Sequence, residues 1–440
     1  MSRTDNVPEL AEPLSGAEPL SGADPAGSAV TAERAALAEP LAPLDPPVSW
    51  LDRVLDLEIG PVAHGGHCVA RADGRVVFVR HALPGERVRA VVTEDRHGSF
   101  CRADVLAVLV PSPDRVEAPC VWARAGGCGG CDYQHASPAA QRQLKSAVLA
   151  EQLHRLAGVD LADFGTEVEE LPGGALGWRH RMRLAVGPDG QAGLRAHRAH
   201  DVIPIADCLL APPGMLAPVL ERTWTPGGEV QVELDADGEA HVSTGSGRDA
   251  RRPVARQVGE RRWEVPPGAF WQVHPALADT LCAVVAEWAQ APAGGCAWDL
   301  YGGAGVLASV LAEQVGPEGS VTVVESDRDA VRCGAEALDD LPWVQWRVGR
   351  VERVLAELAE MWRPDVVVAD PPRKGLGRAV VDQLAEVGPA RLVHVACDPA
   401  ALARDVALLA GRGYRLDKLR AFDAFPMTHH LEAVALFLRD

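Results

Sequence analysis

The sequence has no uninterrupted apolar run approaching the ~18 residues needed to cross a bilayer, which excludes a transmembrane helix and predicts no membrane partner. Its N-terminus is acidic and lacks the basic-then-apolar pattern of a secretion signal, so the expected compartment is the cytoplasm. Positive charge is also scarce: 43 Lys and Arg stand against 61 Asp and Glu, a net charge of −18. That balance argues against binding nucleic acid by bulk attraction, though a local basic groove remains compatible with it. Ten cysteines in a reducing compartment point to metal binding or catalysis rather than to disulfides.

A chain of 440 residues with 47% hydrophobic content is globular and long enough for about three domains. Residues 1–47 repeat the unit AEPLSG at Ala11–Gly16 and Ala17–Gly22 and contain no aromatic residue, so they are expected to form a disordered acidic tail, dispensable for chemistry. Residues 48–112 read as short strands at Leu55 to Ile59, Gly66 to Arg71, Val76 to Val79, Arg87 to Glu94 and Ala103 to Val110. With turn signals at Asp73-Gly74 and Pro84-Gly85, they suit a small barrel of the oligonucleotide-binding kind.

Residues 113–265 are expected to form a central α+β domain. It opens on Cys120, Cys128 and Cys131, where paired glycines between two cysteines let several thiolates converge on one centre. Cys208 is the nearest candidate for a fourth ligand, and four thiolates suit structural zinc as well as a four-iron cluster. The same stretch holds the densest positive charge, with Arg179, Arg181, Arg183, Arg195, His197 and Arg198, then Arg248, Arg251, Arg252, Arg256, Arg261 and Arg262. Arginines beside aromatic residues suit single-stranded RNA. A solvated strand face is the competing reading.

Residues 266–440 alternate strand and helix, which predicts an α/β, Rossmann-like parallel sheet. Its first strand ends in Asp299-Leu300-Tyr301-Gly302-Gly303-Ala304-Gly305, and Glu325 follows 20 residues beyond Gly305, placed for ribose hydroxyls. NAD and S-adenosylmethionine sites share that logic. The strand Asp365 to Ala369 runs into Asp370-Pro371-Pro372, a pattern that suits a methyltransferase and not a dinucleotide site. Further on, the apolar run Val393 to Ala396 breaks into Cys397-Asp398-Pro399. Asp398 is a natural N-cap and Pro399 a natural first residue for a helix over 399–411, so the thiol sits where a strand hands over to a helix. A helix N-terminus lowers a thiol pKa from about 8.5 and suits a nucleophile, whereas an inert core cysteine is the bland alternative.

Together these segments resemble the RNA uracil-C5 methyltransferase family, specifically its larger members with an N-terminal TRAM barrel and an iron–sulfur cluster; the resemblance covers about residues 50–440. It implies a class I methyltransferase domain at the C-terminus and four cluster ligands, Cys120, Cys128, Cys131 and Cys208, holding [4Fe–4S], with zinc as the alternative. Phe270-Trp271-Gln272-Val273 resembles the segment whose glutamine contacts S-adenosylmethionine. Tyr301 matches the aromatic position of the glycine motif, and Glu325 and Asp370 match the other donor-site acids. Cys397 then corresponds to the nucleophile, and Glu432 in Phe425-Pro426-Met427-Thr428-His429-His430-Leu431-Glu432 to the base.

The chemistry asks for the same two groups. Uracil C5 is too weak a nucleophile to take a methyl group directly, so a thiolate first adds at C6, and a base later removes the C5 proton. His429 or His430 is a rival for the base. The implied partner is RNA, with large ribosomal RNA preferred and transfer RNA open, acted on by a monomer. A catalytically silent RNA-binding iron–sulfur protein is the reading from another class. The chain departs from the family pattern at Gly302, Val306 and Arg350, in the wider spacing from Cys120 to Cys128, and at Asp398, where Asn is usual. Asp398 places a negative charge beside the thiol and is expected to raise its pKa.

Overall fold

The computed structural model describes residues 49–440 except 97, 245–251, 361, 362 and 440. The expected tail over 1–47 lies outside the described residues, as do Arg248 and Arg251. Among the described residues no helix is long and apolar enough to cross a membrane.

The first sheet contains five strands, Val54–Glu58, Cys68–Ala72, Arg75–Arg80, Arg87–Asp95 and Phe100–Val110, close to the five expected ranges. Alternation sets its inner face: Leu55 and Leu57 point inward from the first strand, and Val77, Val79, Val88, Ala90 and Val92 are fully buried. Irregular register between the two longest strands bends them, and the first strand returns against the second, closing a small barrel. The Asp73-Gly74 turn takes positive φ at both residues, 47° and 77°, as a tight two-residue hairpin requires.

A second five-stranded sheet is wholly antiparallel, in the order Ala240–Thr244, Glu229–Leu234, Arg181–Val186, Ala192–Arg195 and Val202–Pro204. The hairpin Val254–Val258 and Arg261–Val265 follows it.

The last sheet has eight strands, ordered Val344–Val348, Ser320–Glu325, Cys296–Leu300, Val366–Ala369, Arg391–Ala396, Glu432–Arg439, Tyr414–Asp423 and Val168–Glu170. The first five run parallel, and Glu432–Arg439 enters antiparallel beside Arg391–Ala396. Helices cover both faces, so the inner strands read as unbroken Val runs rather than alternating ones. Leu277–Ala289 and Val306–Val315 pack on one face; Val351–Ala359, Gly377–Val387 and Pro399–Ala410 pack on the other. This is the expected doubly wound α/β architecture behind a small barrel.

One segment sits differently from the reading of the sequence. Helix Pro138–Ala157 packs on Pro399–Ala410, and strand Val168–Glu170 pairs with Tyr414–Asp423, so that strand extends the last sheet, while Ala140, Leu144 and Val148 of the helix pack into the barrel core. Leu149 and Leu153, both at 0% exposure, are the physical reason: they complete the core on that face.

Candidate active site

Parallel strands end at one edge of the last sheet, and that edge collects the candidate residues. Leu300 pairs with both Val324 and Ala369, so Tyr301, Glu325 and Asp370 emerge side by side where the sequence order reverses. Ala396 pairs with Ala433 in the antiparallel ladder, which places the next residue on each strand, Cys397 and Glu432, opposite one another. An antiparallel strand presents its first residue at this edge where its parallel neighbours present their last.

The glycine turn is built for close approach. Tyr301, Gly303 and Gly305 have φ of 60°, 55° and 75°, and a Cβ on Gly305 would come within 2.6 Å of the Trp346 ring. Glu325 fixes the turn: Oε2 accepts from Gly303 N at 3.0 Å while Oε1 accepts from Asp327 N at 2.7 Å. Trp263 Nε1 donates to Ala304 O at 2.9 Å from the other side, and its ring meets Trp271 at 5.7 Å, which brings the Gln272 segment alongside. Gln272 is half-buried and, among the described residues, makes no hydrogen bond. Among the described residues the buried Tyr301 hydroxyl has no hydrogen-bond partner, and the fully buried carboxylate of Asp299 has none within hydrogen-bond geometry, the Ala308 backbone being the group that stabilises it. Unpartnered polar atoms around a left-handed glycine turn fit a polar ligand such as S-adenosylmethionine.

Electrostatics run opposite to the expectation for the thiol. Burial, then Glu432 and Asp370, push Cys397 up to about 12, against a weaker lowering by Arg373. Glu432 is itself raised well above the carboxylate range by burial and by Asp370, and burial pushes Asp370 up to about 7. The expected source, Asp398, is not what raises the thiol. Its Oδ1 caps the helix at Ala401 N, 2.8 Å, and its Oδ2 meets His64 Nε2 at 3.0 Å. The cap forms as read from sequence, over Pro399–Ala410, but burial and then the acids opposite outweigh the helix end.

The rival bases are otherwise engaged. His429 Nδ1 lies 2.7 Å from Asp132 Oδ2, and burial with His429 nearby pushes His430 down to about 3, too low for an effective proton acceptor. Met427, at φ 68°, receives backbone donors from Asp132 at 2.8 Å and Tyr133 at 3.0 Å. Neither Asp132 nor His64 carried a sequence signal, since each acts on a partner about 300 residues away.

Cys120, Cys128, Cys131 and Cys208 line one cavity of about 420 Å³. Gln134 Nε2 donates to Cys131 Sγ at 3.1 Å and Gly130 N to Cys128 Sγ at 3.3 Å, so a donor set for thiolates is in place. Arg80, 1% exposed, donates to Cys131 O at 2.9 Å. The surrounding arginines are less free than their density suggested. Arg183 and Arg195 share Glu229, Arg198 pairs with Glu94, Arg252 with Glu239, Arg256 with Glu233, Arg261 with Asp340 and Arg262 with Asp237.

Known proteins resemble this chain in sequence and in fold. Residues 344–440 match the tRNA (uracil-5-)-methyltransferase family model, and residues 52–106 match the TRAM domain. An RNA methyltransferase of Streptomyces coelicolor is 43% identical, over 90% of this chain and 94% of its own length. The 23S rRNA (uracil(1939)-C(5))-methyltransferase RlmD of Shewanella sp. (strain ANA-3) is 32% identical, over 85% of this chain and 93% of its own. The crystal structure of Pyrococcus abyssi tRNA (uracil-54, C5)-methyltransferase with S-adenosyl-L-homocysteine superposes with a TM-score of 0.66, covering 87% of this chain and 100% of that one. At 20% identity the likeness shows the fold alone.

Burial pushes Asp299 up to about 8, so the fold holds its proton where the unfolded chain has released it. The stability this permits is complete below pH 3.8 and is lost as pH rises through about 8. Asp299→Asn is therefore expected to raise the melting temperature by several degrees at pH 8 and by less at pH 5. Equal shifts at the two pH values in a thermal melt would contradict this.

Proposed function

The chain belongs to the S-adenosylmethionine-dependent RNA uracil-C5 methyltransferases, and we propose that it forms 5-methyluridine through a covalent bond between Cys397 and uracil C6. The observation that carries the reading is the register that sets Cys397 opposite Glu432 beside Asp370, at the sheet edge where the glycine turn ends.

The Cys397 thiolate adds to C6 and leaves C5 as an enolate carbon. Gln272, Tyr301, Glu325 and Asp370 would bind and orient S-adenosylmethionine at the turn. It would supply an electrophilic methyl group, which bonds to C5 as the donor's methyl–sulfur bond breaks and S-adenosylhomocysteine leaves. Glu432 must be ionised to take the C5 proton, and its raised pKa makes it hold that proton once taken; the C6–sulfur bond then breaks and the thiolate leaves. Glu432 is 3% exposed, so bulk water does not compete for that proton. Reaching C5 requires an unstacked base.

The four cysteines we assign to a [4Fe–4S] cluster rather than zinc. A tetrahedral zinc–thiolate site with bonds of about 2.3 Å holds its sulfurs about 3.8 Å apart. Among the described residues, the group of three or more ligand atoms within 4.8 Å of one another is Asp235, Glu239 and His241, so no three of these thiols approach so closely. Wider spacing around a shared cavity suits a polynuclear cluster. It would be held by Cys120, Cys128, Cys131 and Cys208.

Large ribosomal RNA is the proposed substrate, supported by full-length relatives such as the Shewanella 23S rRNA enzyme. Transfer RNA is the second reading, favoured by the description of the matched family model.

Cys397→Ala is expected to abolish methyl transfer from labelled donor, and a fully active variant would sink the assignment. Glu432→Gln is expected to accumulate a slow-migrating protein–RNA species on a denaturing gel, because the adduct forms and cannot resolve. Mapping 5-methyluridine in ribosomal and transfer RNA from cells with and without the gene is expected to show one lost site in large ribosomal RNA; a site lost from transfer RNA instead selects the second reading. Protein purified without oxygen is expected to be brown and to bleach on reduction, whereas a colourless protein containing zinc would refute the cluster.

A further inference from the structure

His64 reaches the catalytic turn from the barrel, in the loop between Glu58 and Cys68. Its Nε2 lies 3.0 Å from Asp398 Oδ2, while Asp398 Oδ1 accepts from Ala401 N at 2.8 Å. Two residues further on, Gly66 at φ 83° lies so close to the loop before Glu432 that a Cβ there would come within 2.8 Å of His429 Cβ. One barrel loop thus touches both the turn that carries Cys397 and the loop that leads to Glu432.

Capping Ala401 takes a single acceptor oxygen, which an amide supplies as well as a carboxylate. The carboxylate adds a negative charge one residue from a thiol already facing Glu432 and Asp370, with Arg373 the opposing cation. Around His64 the charged groups are Asp398, Arg404 and Glu151.

We propose that His64 is a positioning residue for the nucleophile: its imidazolium pairs with Asp398 and cancels the extra charge beside Cys397, so that this charge does not suppress the thiolate further. This rests on Cys397 being the nucleophile. The hydrogen bond to Asp398 raises His64 above its ordinary pKa, which keeps the pair charged to higher pH than a free imidazole. Both side chains are partly exposed, at 41% and 25%, so the effect is modest.

The test is iodoacetamide alkylation of the full-length protein, read by mass spectrometry on the peptide containing Cys397, because the rate follows the thiolate fraction. At pH 7, His64→Ala is expected to slow alkylation about three-fold, the size of a partly screened charge pair. His64→Gln, which keeps a hydrogen-bonding side chain without the charge, is expected to slow it equally. Adding Asp398→Asn to His64→Ala is expected to restore the wild-type rate, and the gap between wild type and His64→Ala is expected to close as pH rises past the ionisation of His64. An unchanged rate in His64→Ala, or slowing that persists in the double variant, overturns the proposal. Methyl transfer by Cys397→Ala tests the nucleophile separately, so failure of the one is distinguishable from failure of the other.

Discussion

One strand register holds the site together. The pairing of Ala396 with Ala433 brings a thiol opposite a carboxyl at an edge where four parallel strands already end. Side chains alternate along a strand, so a slip by one residue would turn Glu432 to the other face and bury a different set of side chains. The register is over-determined by burial. Ala433, Val434, Ala435, Leu436 and Phe437 are all at 1% exposure or less and are divided between the cores on the two faces. Catalytic geometry is therefore a by-product of packing that the fold needs for stability.

The chain entering that strand is held as firmly. Met427 N donates to Gln141 Oε1 at 2.8 Å, and Gln141 Nε2 donates back to Met427 Sδ at 3.1 Å. Buried Lys145 pairs with Asp423 and donates to Phe425 O at 3.0 Å. Both anchors come from helix Pro138–Ala157. On the other side Asp132, next to Cys131, accepts from His429 N at 3.1 Å. The loop before Glu432 is thus clamped between a helix and the cysteine loop.

Local features were legible in the sequence and distant ones were not. The Asp398 cap, Pro399 as first helical residue and the Asp73-Gly74 turn are fixed by neighbours in the chain, and all three form where residue type alone placed them. The five barrel strands follow their alternation. The thiol pKa departs from the local expectation because the helix end is local, whereas burial, the largest cause of the rise, and then Glu432 and Asp370 come from the tertiary fold. Arginine density was equally deceptive. Glu94, which pairs with Arg198, lies 104 residues away in the barrel, and Asp340, which pairs with Arg261, lies 79 residues on. Whether a cation is free depends on such tertiary partners, and composition carries no trace of them.

The carboxyl pair also explains when the chemistry can start. A thiol near 12 is almost wholly protonated at neutral pH, and only the thiolate attacks or is readily oxidised. Burial is the main opposition to a thiolate there, and Glu432 and Asp370 beside it add to that opposition. Arg373 lowers both Cys397 and Glu432, yet it is exposed and weaker than either source of the rise. On the proposed mechanism the free enzyme is held unreactive, and ionisation is confined to the complex, where adduct formation draws the thiolate off as it forms. The same environment makes the thiolate a poor leaving group, so breaking the C6–sulfur bond is coupled to return of a proton to Cys397, and the proton that Glu432 takes from C5 is the one available.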